Sequence, residues 1–380
     1  MLFLQDAPPP YVKEERLIPM RDGVKLYAAV YRPKNATGPL PILLERTPYG
    51  SGPYGPDGVP RRFGPGPGFA REGMIFVVSD IRGRYRSEGT FLYGAPILSI
   101  ADPAKTDHVS DAYDTIDWLV KNVPENNGRV GVWGISQPGQ YATHALLSDH
   151  PALVCGSPQA PVTDRWVGDD DHRRGALTLA QRFGFMRSFG LPTPNPTDKY
   201  DASAVPKSDV PLYDRMLAAG GAANMAKWLA PGTRYWDEIV AHPHYDDYWK
   251  ARAVPLHARR IRADVLVVGG TFDAEDLYGP IATYRSLRAA NPRGDVSLVM
   301  GPWSHGGWMG RGDRLGAWDG FGDTGEEFRD RVVLPWFVSR LKGKRPVRVP
   351  RESWYVTGEN RWVRGETPKA AATRSALAAD

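Results

Sequence analysis

Short apolar runs punctuate the chain, and most of them end in glycine, aspartate or proline. MIFVVSD (74–80), RVGVWG (129–134), DVLVVGG (264–270) and VSLVMGP (296–302) are apolar at nearly every position, and PILLERTPYG (41–50) begins the same way. Such runs suit strands covered on both faces, the usual condition of a parallel sheet. Residues 17–34 instead alternate apolar and polar positions about an Arg-Asp-Gly turn, which predicts an antiparallel hairpin. Between the runs, DAYDTIDWLVKNV (111–123) places apolar residues three and four apart, as an amphipathic helix does. Buried strands alternating with helices predict a doubly wound α/β core.

The rhythm breaks between residues 163 and 257. That segment is rich in Trp, Arg and Asp, lacks buried-strand runs, and includes RGALTLAQRFGFM (174–186), which reads as helical. It predicts a mostly helical cap inserted between two core strands. The resulting division is core over 1–162, cap over 163–257, core again over 258–345, and a linker with one strand over 346–380. GSGPYGPDGVPRRFGPGPGF (50–69) reads as a long loop; no Gly-Lys-Ser/Thr follows its glycines, so it does not fit a phosphate loop.

Composition narrows the function classes. The net charge of +5 arises from 48 basic and 43 acidic residues that are interspersed, and the densest basic stretch, KGKRPVRVPR (342–351), reads as a solvated linker. Nucleic acid is therefore not an expected partner. No apolar run reaches the about 18 residues that span a bilayer, so no membrane partner is expected. MLFLQ (1–5) is too short for a signal peptide and reads at most as the remnant of one. The single cysteine, Cys155, excludes an internal disulfide framework.

The chemistry begins at GVWGISQPGQ (131–140). A Gly-x-Ser directly after an apolar run resembles a nucleophile elbow, where serine sits on a tight strand-to-helix turn. The usual pattern has a second glycine two residues after the serine; here Pro138 holds that place and Gly139 comes one step later. An elbow of this kind requires an acid and then a base downstream, each just after a core strand. DVLVVGG runs into TFDAED, placing Asp273 at a strand end, and VSLVMGP runs into WSHGG, placing His305 at the next. Of eight histidines only His305 follows that aspartate. Functional groups of open α/β sheets collect at such C-terminal strand ends. The expected roles are Ser136 as nucleophile, His305 as proton carrier and Asp273 as the group that fixes the imidazole.

Seven segments extend this pattern. They are RTPYG (46–50), DIRGRYRSEGTF (80–91), GISQPG (134–139), GDDDHRRGA (168–176), HPHYDDYW (242–249), TFDAEDLYG (271–279) and GPWSH (301–305). Together they resemble the serine hydrolase family of cocaine esterase, X-Pro dipeptidyl peptidase, glutaryl-cephalosporin acylase and α-amino acid ester hydrolase, over nearly all of residues 15–365. That family writes its elbow Gly-x-Ser-x-x-Gly, so Gly139 stands in the family's place. The resemblance implies an α/β-hydrolase core with an inserted helical cap and no cofactor. It implies an oxyanion hole made of the Tyr49 hydroxyl and the backbone N–H of Gln137, where the family usually carries Tyr or another large residue. It also implies a periplasmic or secreted location.

Within the family, the resemblance is nearest to α-amino acid ester hydrolases, whose carboxylate cluster holds a substrate ammonium. Asp-x-Glu-Asp appears here as Asp273-Ala274-Glu275-Asp276, and the cap's Gly-Asp-Asp as Gly168-Asp169-Asp170. The implied ammonium ligands are Asp170 (with Asp169 as the alternative), Glu275 and Asp276. Crowded carboxylates repel, so their pKa values should rise and a bound ammonium should relieve the strain. Taken alone, Glu275 and Asp276 equally suit a helix N-terminus. Tyr278 is a candidate wall of the acyl pocket. His242, His244, Asp246 and Asp247 lie close enough in sequence for a metal site, but the resemblance makes them a structural part of the cap, and no metal is expected.

Family members continue into a jelly-roll β-sandwich, and ESWYVTGENRW (352–362) resembles its first strand. The resemblance thus implies a sandwich that is largely missing, with an uncovered apolar patch around 354–356 that would favour homo-oligomers. The expected activity is hydrolysis or transfer of the acyl group of α-amino acid esters and amides, including β-lactam antibiotics with an α-amino acyl side chain; the partner is then a small-molecule substrate. The alternatives are a family esterase or glutaryl-type acylase that ignores the amine, and, from another class, an inactive binding module.

Overall fold

A computed structural model describes residues 10–187, 189, 196–198, 209–229 and 233–365; the MLFLQ segment and residues 366–380 lie outside them. Ten strands form one sheet: β1 (Tyr11–Pro19), β2 (Lys25–Pro33), β3 (Leu40–Thr47), β4 (Ile75–Asp80), β5 (Asn126–Ile135), β6 (Leu153–Gln159), β7 (Asp264–Gly270), β8 (Val296–Gly301), β9 (Glu352–Val356) and β10 (Arg361–Arg364). Their order is β1-β2-β4-β3-β5-β6-β7-β8-β9-β10. The β1–β2 hairpin is antiparallel, as its alternation predicts, and β2 pairs antiparallel with β4. From β4 to β9 every pairing is parallel.

The apolar runs divide their side chains between two layers. Ile42, Leu44, Val77, Val130, Val132, Val265 and Val267 join a core with α1 (His108–Asn122) and α2 (Gln137–Leu147). Leu43, Phe76, Trp133, Leu266 and Val268 face the other way, onto a helix at Leu334–Leu341. Pairs i and i+2 share a face because the strand repeat is two. A third apolar cluster, built on Phe183, Met186, Met225, Trp236 and Trp249, lies between β6 and β7 in the chain. Its helices include Leu179–Met186, Leu212–Ala219 and Arg234–Ala241. Among the described residues no helix is long and apolar enough to cross a membrane.

Three expectations change. Residues 172–177 are not helical; His172–Arg173 and Ala176–Leu177 pair as a small hairpin because Arg174 and Gly175 both take positive φ, 51° and 85°. β6 has no counterpart among the predicted strands, since LVCGSPQ interrupts its apolar run with Gly156 and Ser157. Gly156 is needed there, because a Cβ would come within 2.8 Å of Leu146 on α2. Finally, 352–356 does not begin a second sheet: β9 lies parallel to β8, with Trp354 opposite Met300, and β10 folds back on it. Tyr355 is consequently buried, with ring centroids of Phe321 and Trp362 at 5.9 and 5.3 Å, so no apolar patch is centred there.

Candidate active site

The elbow is a steric consequence of two glycines. Ser136 joins β5 to α2 with φ 67° and ψ −124°, a strained conformation for a non-glycine residue. The turn closes because a Cβ on Gly134 would lie 2.4 Å from the Pro138 carbonyl, and one on Gly139 2.6 Å from the Gln159 carbonyl oxygen. That same oxygen accepts the Ser136 N–H at 2.9 Å and so braces the turn. Gly139 therefore provides the close approach to β6 that the shifted motif requires. The Gln137 N–H begins α2, where the first amides lack intrahelical acceptors.

Asp273 and His305 follow β7 and β8. His305 Nδ1 lies 2.8 Å from Asp273 Oδ2, while Asp273 Oδ1 accepts the N–H groups of Glu275 and Asp276 at 2.8 and 2.9 Å. Burial works to raise the Asp273 pKa, but His305 and these two amides outweigh it and hold the carboxyl below its usual range. Burial likewise works to lower the His305 pKa, yet the hydrogen bond and charge of Asp273, then Glu275 and Asp170, raise it above an ordinary imidazole. Tyr49 follows β3 with its ring half-exposed and 5.2 Å from the Phe189 ring. Burial and then the Asp170, Tyr141 and Asp276 groups raise its phenol pKa, so its hydroxyl remains a proton donor.

The carboxylates are not a bare cluster. Asp170 Oδ2 accepts from Arg165 at 2.8 Å and from the Tyr93 hydroxyl at 3.0 Å, and Oδ1 lies 2.8 Å from Arg182. Burial opposes the charge, but Arg182 and Arg165 win and lower the Asp170 pKa to about 2. This corrects the expectation that crowding raises it. Arg182 also pairs with Asp171 at 2.5 Å. Asp169 Oδ2 accepts the N–H groups of Thr163 and Asp164 at 2.9 and 3.0 Å and fixes the turn. Asp276 differs from all of these. It is fully buried, neither of its oxygens has a hydrogen-bond partner, and Oδ2 lies 4.0 Å from His305 Nδ1. Burial first, then Asp170, Asp169 and Asp273, push its pKa well up. Glu275 is half-buried next to it in the chain. Tyr278 presses on Gly168, where a Cβ would meet its own Cβ at 2.4 Å, and thus packs against the cap's aspartate turn.

Arg165 escapes sequence reasoning. Fully buried, it also donates to the side-chain carbonyls of Gln137 at 2.6 Å and Gln140 at 3.2 Å, joining the cap to the start of α2. Only the Arg- and Asp-rich composition of 163–257 hints at such a network. His242 and Asp246, considered for metal, pair with each other at 2.6 Å, and Asp246 caps a helical turn through the Tyr248 N–H.

Residues 22–307 match the X-Pro dipeptidyl-peptidase (S15) family. The chain belongs to this family. Cocaine esterase of Rhodococcus sp. (strain MB1 Bresler) is 27% identical over 315 residues, covering 78% of this chain and 49% of that protein. An aminopeptidase from a marine sediment Thaumarchaeota archaeon superimposes with a TM-score of 0.83 at 32% identity. A selenomethionine-labelled α-amino acid ester hydrolase does so with 0.83 at 34%. Both structures cover 96% of this chain, which spans 60% of each. The ten-stranded mixed sheet with its flanking helices is thus an α/β-hydrolase fold.

Proposed function

We propose that the protein is a serine hydrolase and acyltransferase that cleaves esters and amides of α-amino acids through an acyl-enzyme on Ser136. His305 takes the Ser136 proton and returns it to the leaving group; Asp273 fixes the imidazole and offsets its charge. Tyr49 and the Gln137 N–H donate to the oxyanion, and donors of this kind contribute about 3–4 kcal/mol each.

The observation that carries the amine preference is Asp276, buried without a partner beside Glu275. A substrate ammonium reaches half-buried Glu275 first, and its charge lowers the raised pKa of the adjacent Asp276, which then releases its proton to solvent and becomes a second counter-ion. Asp170 has one lone-pair site left on Oδ1, since its arginines and Tyr93 occupy the rest. A free α-amine is also common to the substrates named by an aminopeptidase and an α-amino acid ester hydrolase, two of the similar structures. Penicillins and cephalosporins with an α-amino acyl chain belong to the same amide class.

The test is the ratio of kcat/KM for an α-amino ester to that for its des-amino twin. Charge-assisted hydrogen bonds are typically about 1.5–3 kcal/mol, so Glu275→Gln and Asp276→Asn should lower this ratio roughly 10- to 150-fold. A ratio unchanged in both variants overturns the amine reading. The neutralisation of Asp170 by Arg165 and Arg182 favours a rival, an S15 esterase indifferent to the amine, and that result would select it. Fluorophosphonate labelling of the parent but not of Ser136→Ala separates either enzyme from an inactive binding module.

A further inference from the structure

A second carboxylate without a partner lies on the opposite face of the sheet from α2. On β3, Leu43, Glu45 and Thr47 share the face that carries Phe76 of β4 and Trp133 of β5. Glu45 stands in register between Val78 and Trp133, where the strand pattern calls for an apolar side chain. It is half-buried and has no hydrogen bond or ion pair among the described residues. It lines a cavity of about 240 Å³ walled by Phe63, Phe76, Trp133 and Met309. Only Glu45 and Arg62 among the lining residues carry charge, and Arg62 is exposed. Thr47 and Gly50, also in the wall, flank Tyr49, and Met309 ends the short helix Gly307–Met309 that follows His305.

We propose that this cavity binds a small apolar primary ammonium, its charge on Glu45 and its hydrocarbon body against the aromatic walls. An apolar pocket with one convergent polar group is the usual composition of a small-molecule site, and the volume lies just below the common range of about 300–1,000 Å³, which limits the ligand to a small one. The ammonium supplies the counter-charge Glu45 lacks, and Phe63, Phe76 and Trp133 give its hydrocarbon body an apolar wall. An apolar anion would be repelled, and a neutral hydrocarbon would leave the carboxylate buried and unpaired. Burial alone pushes the Glu45 carboxyl up to about 7, so ligand charge and proton compete here near neutrality. The ligand's source is either the amine released from an amide substrate, which rests on the function proposed above, or an amine that binds independently of turnover.

Benzylammonium is the probe, with uncharged benzyl alcohol as its control, and calorimetry is the measurement. With the Glu45 carboxyl at about 7, its ionised fraction rises about tenfold between pH 6 and 8, and benzylammonium affinity should rise with it while benzyl alcohol affinity does not. Glu45→Gln should weaken benzylammonium at least tenfold at pH 8 and leave benzyl alcohol unchanged. Glu275→Gln should retain the Glu45-dependent binding, which keeps this test separate from the ammonium site at Glu275. Equal affinity in parent and Glu45→Gln, or a parent affinity independent of pH, overturns the proposal without touching the assignment of Ser136. Inhibition of ester turnover by benzylammonium that Glu45→Gln abolishes and Glu275→Gln retains identifies the released amine as the source; Glu45-dependent binding with unaltered turnover identifies an independent one.

Discussion

Arg165 holds the cap to α2, and its removal should be costly in a way that can be calculated. Its guanidinium donates to the Tyr93 hydroxyl at 2.7 Å, to Asp170 at 2.8 Å, to Gln137 at 2.6 Å and to Gln140 at 3.2 Å, and stacks 4.2 Å from the Tyr93 ring centroid. Arg165→Met leaves the buried Asp170 charge short of one partner and the Gln137 carbonyl without its charged donor. Breaking a buried ion pair typically costs about 3–5 kcal/mol; Asp170 keeps Arg182, so about 3 kcal/mol is expected by urea unfolding at neutral pH. The pH dependence identifies the mechanism. In the parent the Asp170 carboxyl is lowered to about 2, so its stabilisation is present above the ordinary carboxylate value and is lost as pH falls through that lower one. Arg165→Met forfeits part of that depression, so the gap between the proteins should narrow between about pH 4 and 2. Adding Asp170→Asn removes the charge that lost its partner, and the double variant should recover about 1–3 kcal/mol relative to additivity. A loss below about 1 kcal/mol, or a gap that persists in acid, would refute the argument.

Three further outcomes are expected. Gly139→Ala forces a Cβ to within 2.6 Å of the Gln159 carbonyl that braces Ser136, so overpacking of about 1–3 kcal/mol should accompany a much larger drop in kcat, measured on any ester turned over by the parent. His305 must be neutral to accept a proton and its pKa is raised, so the acid limb of kcat/KM should lie above an ordinary histidine's, and Asp273→Asn should move it down. Asp276 holds its proton above the ordinary carboxylate pKa, so it costs stability increasingly as pH rises from that value; Asp276→Asn should raise the melting temperature at neutral and alkaline pH and lose that advantage in acid.

The strands that present Ser136, Asp273 and His305 were legible because each is an apolar run stopped by a polar strand end, a pattern that survives without knowledge of partners. β6 was not, although it supplies the carbonyl that braces Ser136. Its Gly156 is set by the approach of Leu146 from α2, a tertiary demand that erases the local signal. β9 was legible as a strand, but its neighbour was not: periodicity reports which face is apolar, never which strand lies alongside. The same limit explains why WYV read as the start of another sheet.

The charges were harder still. Arg165 precedes Asp170 by five residues, and Tyr93 stands 77 residues before that aspartate, so neither helical nor strand spacing relates the three. Reading the aspartates without their arginines gave the wrong sign for the Asp170 pKa. Asp276, by contrast, behaves as the crowding argument requires, because no arginine reaches its oxygens. Asp170 and Asp276 therefore carry opposite shifts, because Arg182, Arg165 and the Tyr93 hydroxyl hold the first as an anion while burial and neighbouring aspartates keep the second protonated. Protein stability is served by Asp170, whose charge is matched, whereas Asp276 lowers it at neutral pH. In the function proposed above, a substrate amine arriving beside His305 supplies the counter-charge that Asp276 lacks and so offsets that cost.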